Sequence, residues 1–240
     1  MKTRYDAIYH DIRESIENGA FPYQSFLPSE SELVLSFACS HNTLRRAIGL
    51  LREQGYVQPV HGKGVRVVYQ EQGRATFTIG DIESYKEASA RAHLDTVTDV
   101  VELSPLVATA ELARRTGFEE GCDLTAIERV RVIGGERLIL DRNLFRASSV
   151  PDLTREIAAA SVYDYMEDEL GITIAMSKRT ITVEHATKHD SVELDLDGFD
   201  CLAVMTSQTF DAKGILIEYT ESRHRPDHFC FRDTAVRQAV

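Results

Sequence analysis

The sequence lacks the features that would assign it to a membrane, secreted or metal-stabilised class of protein. No stretch approaches the roughly 20 uninterrupted apolar residues of a transmembrane helix, and the amino end has no apolar segment of the signal-peptide kind. The four cysteines stand far apart, with neither a Cys-x-x-Cys pair nor a Cys/His metal spacing. The sequence therefore predicts a cytoplasmic protein with no membrane partner, metal, cofactor or disulfide framework.

Positive charge is scarce too, because 27 lysines and arginines stand against 38 aspartates and glutamates, for a net charge of −11. Such a balance argues against nucleic-acid binding, which needs a basic surface. The shortage is uneven, however. Residues 1–70 carry 8 basic and 7 acidic side chains, whereas residues 71–240 carry 19 and 31. The acidity belongs to the second part of the chain and leaves DNA binding open to the first.

The first part of the chain has the element order of a winged helix-turn-helix. Apolar spacing, a Ser29-x-x-Glu32 capping box, a Ser40 cap and the helix-ending Gly55 indicate helices, and two β-branched runs around a Gly-x-Gly turn indicate a hairpin. The three helices and the hairpin are predicted at residues 5–18, 29–38, 40–55 and 56–68. This order predicts a DNA-binding domain over residues 1–68.

The third predicted helix has an apolar face and a polar face. Residues at i, i+3, i+4 and i+7 would pack on the core, and they are Leu44, Ala47, Ile48 and Leu51. The polar face keeps His41, Asn42, Arg45 and Arg46, and a helix-turn-helix presents such N-terminal residues to base edges in the major groove. Arg45 suits guanine and Asn42 suits adenine. The alternative, a solvated helix face without a ligand, is less favoured because the capped helix pair and the wing accompany these residues.

Further polar residues lie close to the third predicted helix, the recognition helix of the helix-turn-helix. Ser40 and Thr43 carry hydroxyls that could bond phosphate or base. His61 and Lys63 stand beside Gly62 in the hairpin turn, where they would contact the minor groove or phosphates. These residues complete the predicted DNA-contacting set.

The second part of the chain predicts an α+β domain. Residues 69–76 are polar and aperiodic, as expected of a linker, and residues 77–240 alternate strands with helices around a mostly antiparallel sheet. Strands are predicted at residues 96–103, 124–133, 138–144, 173–183, 201–210 and 215–223. Helices are predicted at residues 107–116, 162–170 and 190–194.

Polar residues of this domain suggest a pocket for a sugar phosphate. Arg129 and Arg131 alternate with valines, so both guanidiniums leave one face of a strand, an arrangement suited to a phosphate or carboxylate. The alternative is pairing with nearby acids on a solvated face. Ser161 would cap a helix whose free N–H groups could hold an anion. Carboxylates, a tyrosine and a histidine could bind a polyol, and they are Asp141, Tyr163, Glu218 and His224.

The DNA-contacting half resembles the winged-helix domain of the GntR superfamily of bacterial transcription regulators. The resemblance rests on residues 27–33, 43–47 and 61–64. It implies DNA contacts from Ser31, Ser40, His41, Asn42, Thr43, Arg45, His61 and Gly62. The superfamily usually has arginine where this chain has His41. Since an imidazole is shorter and lacks the permanent charge of a guanidinium, an altered base preference is expected there.

Residues 77–236 resemble the effector-binding (UTRA) domain of the HutC subfamily, which shares its fold with chorismate lyase. The resemblance implies that Arg129, Arg131 and Ser161 hold phosphate. It also implies that Asp141, Tyr163, Glu218 and His224 line the sugar, and that Ser84 contributes from an early loop. Within the subfamily, residues 139–141, 162–171 and 219–225 resemble repressors of trehalose operons, which implies trehalose 6-phosphate as inducer.

These patterns predict a repressor that binds a palindromic operator as a homodimer and is released by a sugar phosphate. One alternative keeps the regulator and changes the effector to N-acetylglucosamine 6-phosphate or a small carboxylate. The other is an enzyme of the chorismate-lyase kind, in which the acids and His224 would do acid/base work. No nucleophile elbow, metal cluster or cofactor motif supports the enzyme.

Overall fold

The computed structural model describes residues 4–70, 77–78, 82–91 and 93–232, which form two compact units. The first contains the described residues up to residue 70 together with Arg232, and the second those from Phe77 to Phe231. The predicted linker lies mostly outside the described residues, and its first residue, Tyr69, stacks on Tyr56 of the first unit. None of the described helices is long and apolar enough to cross a membrane.

The first unit is a winged helix-turn-helix, as predicted. Its elements are α1 (Arg4–Glu17), α2 (Glu30–Ser36), α3 (His41–Glu53), β1 (Val57–Val60) and β2 (Gly64–Val67). The apolar face of α3 packs on α1, and the strands close the core from the side. The buried core residues are Ile8, Tyr9, Ile12, Ile16, Leu27, Leu33, Leu44, Ala47, Leu51, Tyr56, Val57 and Val67.

Local chemistry explains where the second and third helices begin. Ser29 and Glu32 form the predicted capping box, and the Ser40 hydroxyl accepts a hydrogen bond from Thr43 N. The segment between α1 and α2 does more than interrupt the helices, because Phe26 forms an isolated antiparallel bridge with Arg66 of the hairpin. The wing is therefore bridged at one residue to the segment before α2, which the sequence pattern did not predict.

The second unit is built on a six-stranded antiparallel sheet, in accordance with the predicted α+β class. The strand order is β4-β5-β6-β9-β8-β7. The strands are β4 (Thr96–Val107), β5 (Asp123–Ile133), β6 (Glu136–Arg146), β7 (Ile174–His185), β8 (Cys201–Asp211) and β9 (Leu216–His224). A separate pair joins β3 (Phe77–Thr78) to β10 (Phe231–Arg232).

The helices of this unit differ from the prediction in five places. The helix predicted from residue 107 begins at Ala110 (α5, Ala110–Thr116), because β4 continues to Val107 and Thr109 is the cap. The helix predicted over residues 162–170 is a short α7 (Val162–Asp164) followed by a π-helical turn (Tyr165–Glu169). Two helices were not predicted, α4 (Tyr85–Arg91) and α6 (Arg155–Ala160). The helix predicted over residues 190–194 is α8 (Lys188–Glu193), which begins two residues earlier.

Alternation along the strands gives the sheet two faces with different roles. Val130 and Leu140 belong to an apolar cluster on one face, where α8 packs on β6. Their neighbours Arg129, Arg131 and Asp141 lie on the other face, because successive side chains of a strand point to opposite sides. The second face therefore carries the buried Arg129, Arg131 and Asp141, whereas the buried Arg223–Asp190 pair lies on the face covered by α8.

Candidate functional site

The predicted DNA-contacting residues lie at the surface of the first unit. Thr43 is half-buried and the others are exposed, namely Ser31, Ser40, His41, Asn42, Arg45, His61, Gly62 and Lys63. The wing turn has its tight shape because Gly62 and Gly64 take positive φ angles of 70° and 110°, which side chains rarely adopt. His61 and Lys63 are thereby displayed at the tip of the hairpin.

Glu30 contacts both of the longer side chains at the start of α3. Its carboxylate lies 2.8 Å from His41 Nδ1 and 2.8 Å from Arg45 Nε. Hydrogen bonds from His41 and then Arg45 lower the pKa of the Glu30 carboxyl. The sequence pattern did not single out Glu30, because the contact joins residues 11 and 15 positions apart across the helix-turn-helix.

Three of the polar residues predicted on or beside the third helix have partners within the protein. The Ser40 and Thr43 hydroxyls lie 2.8 Å apart and bond each other. Arg46, predicted on the polar face with Arg45, instead places its guanidinium 3.8 Å from the centre of the Tyr5 ring of α1. Arg46 therefore joins α3 to α1, whereas Arg45 extends with 68% of its side chain exposed.

The predicted effector residues all line one cavity in the second unit. The free volume is about 110 Å³, and its walls come from the strands β5 to β9 and the segments around α4 and α7. The eight predicted residues along its wall are Ser84, Arg129, Arg131, Asp141, Ser161, Tyr163, Glu218 and His224. The free volume is below the ~300–1,000 Å³ of most ligand pockets, since charged side chains occupy much of the space.

Arg131 is held by an acid, as the alternative interpretation expected, although the pair is buried rather than solvated. Its Nε donates to Asp141 Oδ2 at 2.7 Å and its Nη1 to Thr98 Oγ1 at 2.7 Å. The Tyr85 ring covers the guanidinium at 4.3 Å. Burial alone would raise the pKa of Asp141, but the charges of Arg131 and then Arg129, followed by hydrogen bonds from Ser222 and Arg131, outweigh burial and lower that pKa. Asp141 is thus an ionised partner of Arg131.

Arg129 is buried beside this pair and has different partners. Its Nη1 donates to the Ala158 carbonyl at 3.0 Å and its Nη2 to Asn143 Oδ1 at 2.7 Å, and both acceptors are neutral. Its buried Nε has no hydrogen-bond partner among the described residues. Burial and then repulsion from Arg131 lower the pKa of Arg129 to about 10, so it remains charged near pH 7. A buried cation with neutral partners and a spare donor is suited to receive an anion.

Glu218 is the buried carboxylate on the other side of Asn143 from Arg129. Its Oε2 accepts from Tyr163 Oη at 2.9 Å, and its Oε1 accepts from Asn143 Nδ2 at 3.1 Å and Thr220 Oγ1 at 2.9 Å. Burial and then the negative charge of Glu218 raise the pKa of Tyr163 well above its ordinary value. Tyr163 therefore keeps its proton and remains a donor. A carboxylate surrounded by hydroxyl and amide groups is suited to a sugar hydroxyl.

The two predicted serines bond to nearby carboxylates. The Ser161 hydroxyl caps α7 by accepting from Asp164 N at 3.1 Å, and it donates to Asp164 Oδ1 at 2.8 Å. The Ser84 hydroxyl donates to Glu87 Oε2 at 2.9 Å. At the rim, Lys86 Nζ lies 2.6 Å from Asp164 in an exposed ion pair. Either serine would have to exchange these partners to bind an anion.

His224 lies at the end of β9 and is 1% exposed. Its ring centre stands 5.0 Å from that of Phe229. Burial lowers the pKa of His224 to about 4, with Asp141 opposing the shift. The imidazole is therefore neutral near pH 7 and can serve as a hydrogen-bonding or stacking group rather than a cation.

Several lining residues were not predicted. Asn143, Ser222 and Thr220 share the strand parity of Asp141, Glu218 and His224, so alternation could have identified them; Arg179 of β7 and Tyr85 offered no comparable signal. Among the described residues, no group of three histidine, cysteine, aspartate or glutamate side chains could hold a metal ion.

Two family models match the chain along most of its length. Residues 4–67 match the model of bacterial regulatory proteins of the gntR family, and residues 91–230 match the UTRA domain. The first match covers the winged helix-turn-helix and the second covers the sheet that carries the cavity.

Individual proteins extend this similarity. The chain is 36% identical over 236 residues to the HTH-type transcriptional regulator TreR of Bacillus subtilis, with 98% of each chain covered. The solved structure of the B. subtilis trehalose repressor (TreR) effector binding domain covers 60% of this chain and 99% of its own length, at 36% identity and a TM-score of 0.55. The B. subtilis regulator YydK covers all of both chains with a TM-score of 0.78 at 22% identity, which shows the fold alone.

Proposed function

The chain belongs to the gntR family of bacterial regulatory proteins and carries a UTRA domain, and from this premise we propose that it represses trehalose-utilisation genes until trehalose 6-phosphate releases it from DNA. Membership makes it a DNA-binding transcription regulator with a small-molecule effector domain, and not an enzyme. The repressor function, the trehalose assignment and the phosphorylated ligand are the proposal. The relative named trehalose repressor supports them.

The environment of Arg129 supports a phosphorylated ligand most directly. It is a buried cation that has neutral hydrogen-bond partners and an unused Nε donor among the described residues. A phosphate accepts such donors in pairs. Glu218 and Tyr163, joined at 2.9 Å, supply the polar groups that a sugar hydroxyl needs. The ligand in this proposal therefore carries an anion at one end and hydroxyls at the other.

Size requires the rim of the cavity to change when ligand binds. A phosphorylated disaccharide is larger than the free volume of about 110 Å³. The exposed Lys86–Asp164 pair at the rim is of the kind that contributes little to stability, so it can separate at small cost. In this proposal the ligand displaces that pair, and Lys86 then lies near the anion.

On the DNA side, the proposal uses a symmetric homodimer. Two copies of α3 would contact half-sites about one helical turn apart on a palindrome, with Arg45 and Asn42 at base edges and Ser31, Ser40, His41, Thr43, His61, Gly62 and Lys63 on bases or backbone. The effector would favour a conformer whose two DNA-binding domains are wrongly spaced, with residues 69–76 as the linker. Because such coupling is reciprocal, operator DNA would weaken effector binding by the same factor.

A thermal-shift panel on the full chain tests the ligand. We expect trehalose 6-phosphate to raise the melting temperature more than trehalose, N-acetylglucosamine 6-phosphate, inorganic phosphate or small carboxylates at equal concentration. A ligand at 100 times its dissociation constant stabilises a protein by about 2.7 kcal/mol. A larger shift with N-acetylglucosamine 6-phosphate or a carboxylate would replace the trehalose assignment, and no shift with any phosphorylated sugar would refute the phosphate assignment.

A further inference from the structure

Asn143 lies between the cation and the carboxylate of the cavity. Its Oδ1 accepts from Arg129 at 2.7 Å, while its Nδ2 donates to Glu218 at 3.1 Å and to Thr220 at 2.8 Å. The side chain is buried, with 3% of the residue exposed. A guanidinium only donates and a carboxylate only accepts, so the amide can satisfy both in one orientation alone.

This neutral bridge preserves the charge of both neighbours. A direct bond between Arg129 and Glu218 would consume the cation that an anion needs, as Asp141 does for Arg131 at 2.7 Å. An aspartate at position 143 would have the same effect on Arg129. The amide instead bonds each group without neutralising either, and Arg129 Nε keeps a spare donor.

We propose that Asn143 is a positioning residue that sets ligand specificity, by separating an anion subsite at Arg129 from a hydroxyl subsite at Glu218. The cavity thereby selects a ligand that carries an anion and hydroxyls together over either group alone. The inference rests on the proposed function, because it takes a phosphorylated sugar as the ligand.

The test compares ligand affinities of full-length variants by calorimetry, using trehalose 6-phosphate, trehalose and inorganic phosphate. Asn143→Asp gives Arg129 an anionic partner. We expect the preference for trehalose 6-phosphate over trehalose to fall at least about tenfold, because the new carboxylate pairs with the cation that the phosphate needs. The matched control is Arg142→Gln, which changes the net charge equally from the opposite face of the same strand and should keep the wild-type preference.

An uncharged pair of variants decides the matter if Asn143→Asp fails to fold. Threonine has a hydroxyl that can accept from Arg129 and donate to Glu218, whereas valine has the same shape without a polar group. We expect Asn143→Thr to keep most of the preference and Asn143→Val to lose it at least about tenfold. A purely structural role would reduce binding of both ligands in parallel.

The outcomes separate the two proposals. If wild-type protein binds trehalose 6-phosphate but folded Asn143→Asp keeps its preference, or the threonine and valine variants lose it equally, Asn143 is not the specificity residue and the proposed function stands. If wild-type protein binds no phosphorylated sugar, both proposals fail.

Discussion

The start of α3 and the cavity of the second unit contain nearly the same ion pair in opposite surroundings. Arg45 Nε lies 2.8 Å from Glu30, and Arg131 Nε lies 2.7 Å from Asp141. The side chains of the first pair are 68% and 39% exposed, and those of the second are 5% and 7% exposed. The N–O distance therefore does not distinguish the two ion pairs, whereas their solvent exposure does.

The difference suits the two tasks. An exposed pair contributes about 0–1 kcal/mol, so Arg45 can leave Glu30 for a base or phosphate with little loss. Breaking a buried pair by removing one partner costs about 3–5 kcal/mol, so we expect Arg131 and Asp141 to stay paired when ligand binds. The ion pair of the DNA-binding unit can separate at little cost, whereas that of the second unit is held in a fixed arrangement.

The largest expected effect breaks the buried pair. Arg131→Leu leaves the Asp141 carboxylate buried without its cation and should lower the free energy of unfolding by about 3–5 kcal/mol. Urea titration of the full chain measures this. The double variant Arg131→Leu, Asp141→Leu should recover much of the loss, because no buried charge remains. A single variant within 1 kcal/mol of wild type would contradict the comparison.

Acid should weaken the sensor through His224. Its pKa is about 4 in the fold and about 6.5 in an unfolded chain, so the unfolded chain binds a proton that the folded one excludes. Stability is then complete above about pH 6.5 and falls by up to about 3 kcal/mol as the pH decreases to 4. Denaturant titrations at several pH values measure the free energy of unfolding. This free energy should decrease less between pH 6.5 and 4 in His224→Asn than in wild type. An equal loss of stability with decreasing pH in both proteins would show that His224 does not cause it.

His41→Arg sharpens the comparison on the DNA side. Arginine at this exposed position adds a group that can bond guanine in two places, worth about 1–3 kcal/mol at one base pair. Fluorescence anisotropy with single-base variants of a DNA selected by the wild-type protein measures the change. Unaltered affinity and base preference would show that position 41 does not contact a base.

Glu30→Gln is the smallest expected effect and the exposed counterpart of Arg131→Leu. Removing the carboxylate should change the free energy of unfolding by less than about 1 kcal/mol, because His41 and Arg45 remain solvated. DNA affinity at low salt should rise a few-fold, since one negative charge near the phosphates is lost. A stability loss above 2 kcal/mol would show that this pair is not weak.

The same contrast explains what the sequence could predict. The predicted DNA-contacting residues lie within one helix and one turn, so caps at Ser29 and Ser40 and the spacing of apolar residues could place those elements. Its partner Glu30 was missed because that contact depends on how α2 packs against α3. Contacts of this kind need the tertiary structure.

The cavity was predicted wherever strand alternation applied. Arg129 with Arg131 and Glu218 with His224 follow from period-two spacing, and the structure brings both pairs to one cavity. Alternation could not reveal that Arg131 has a carboxylate as its partner whereas Arg129 has neutral partners. Arg129 stands opposite Asp141 in the strand register, yet Arg131 forms the bond to Asp141. Apolar spacing and cap residues do not distinguish the π-helical turn after α7 from an α-helix.

The most direct test of the central claim, that an anion bound at Arg129 releases DNA, is the effect of trehalose 6-phosphate on DNA affinity in wild type and Arg129→Gln. In wild type we expect the dissociation constant for selected DNA to rise at least about tenfold at saturating ligand, within the usual range of allosteric coupling. Arg129→Gln should bind DNA normally without ligand and respond less than about twofold. Equal release from both proteins, or tighter DNA binding with ligand, would contradict the account.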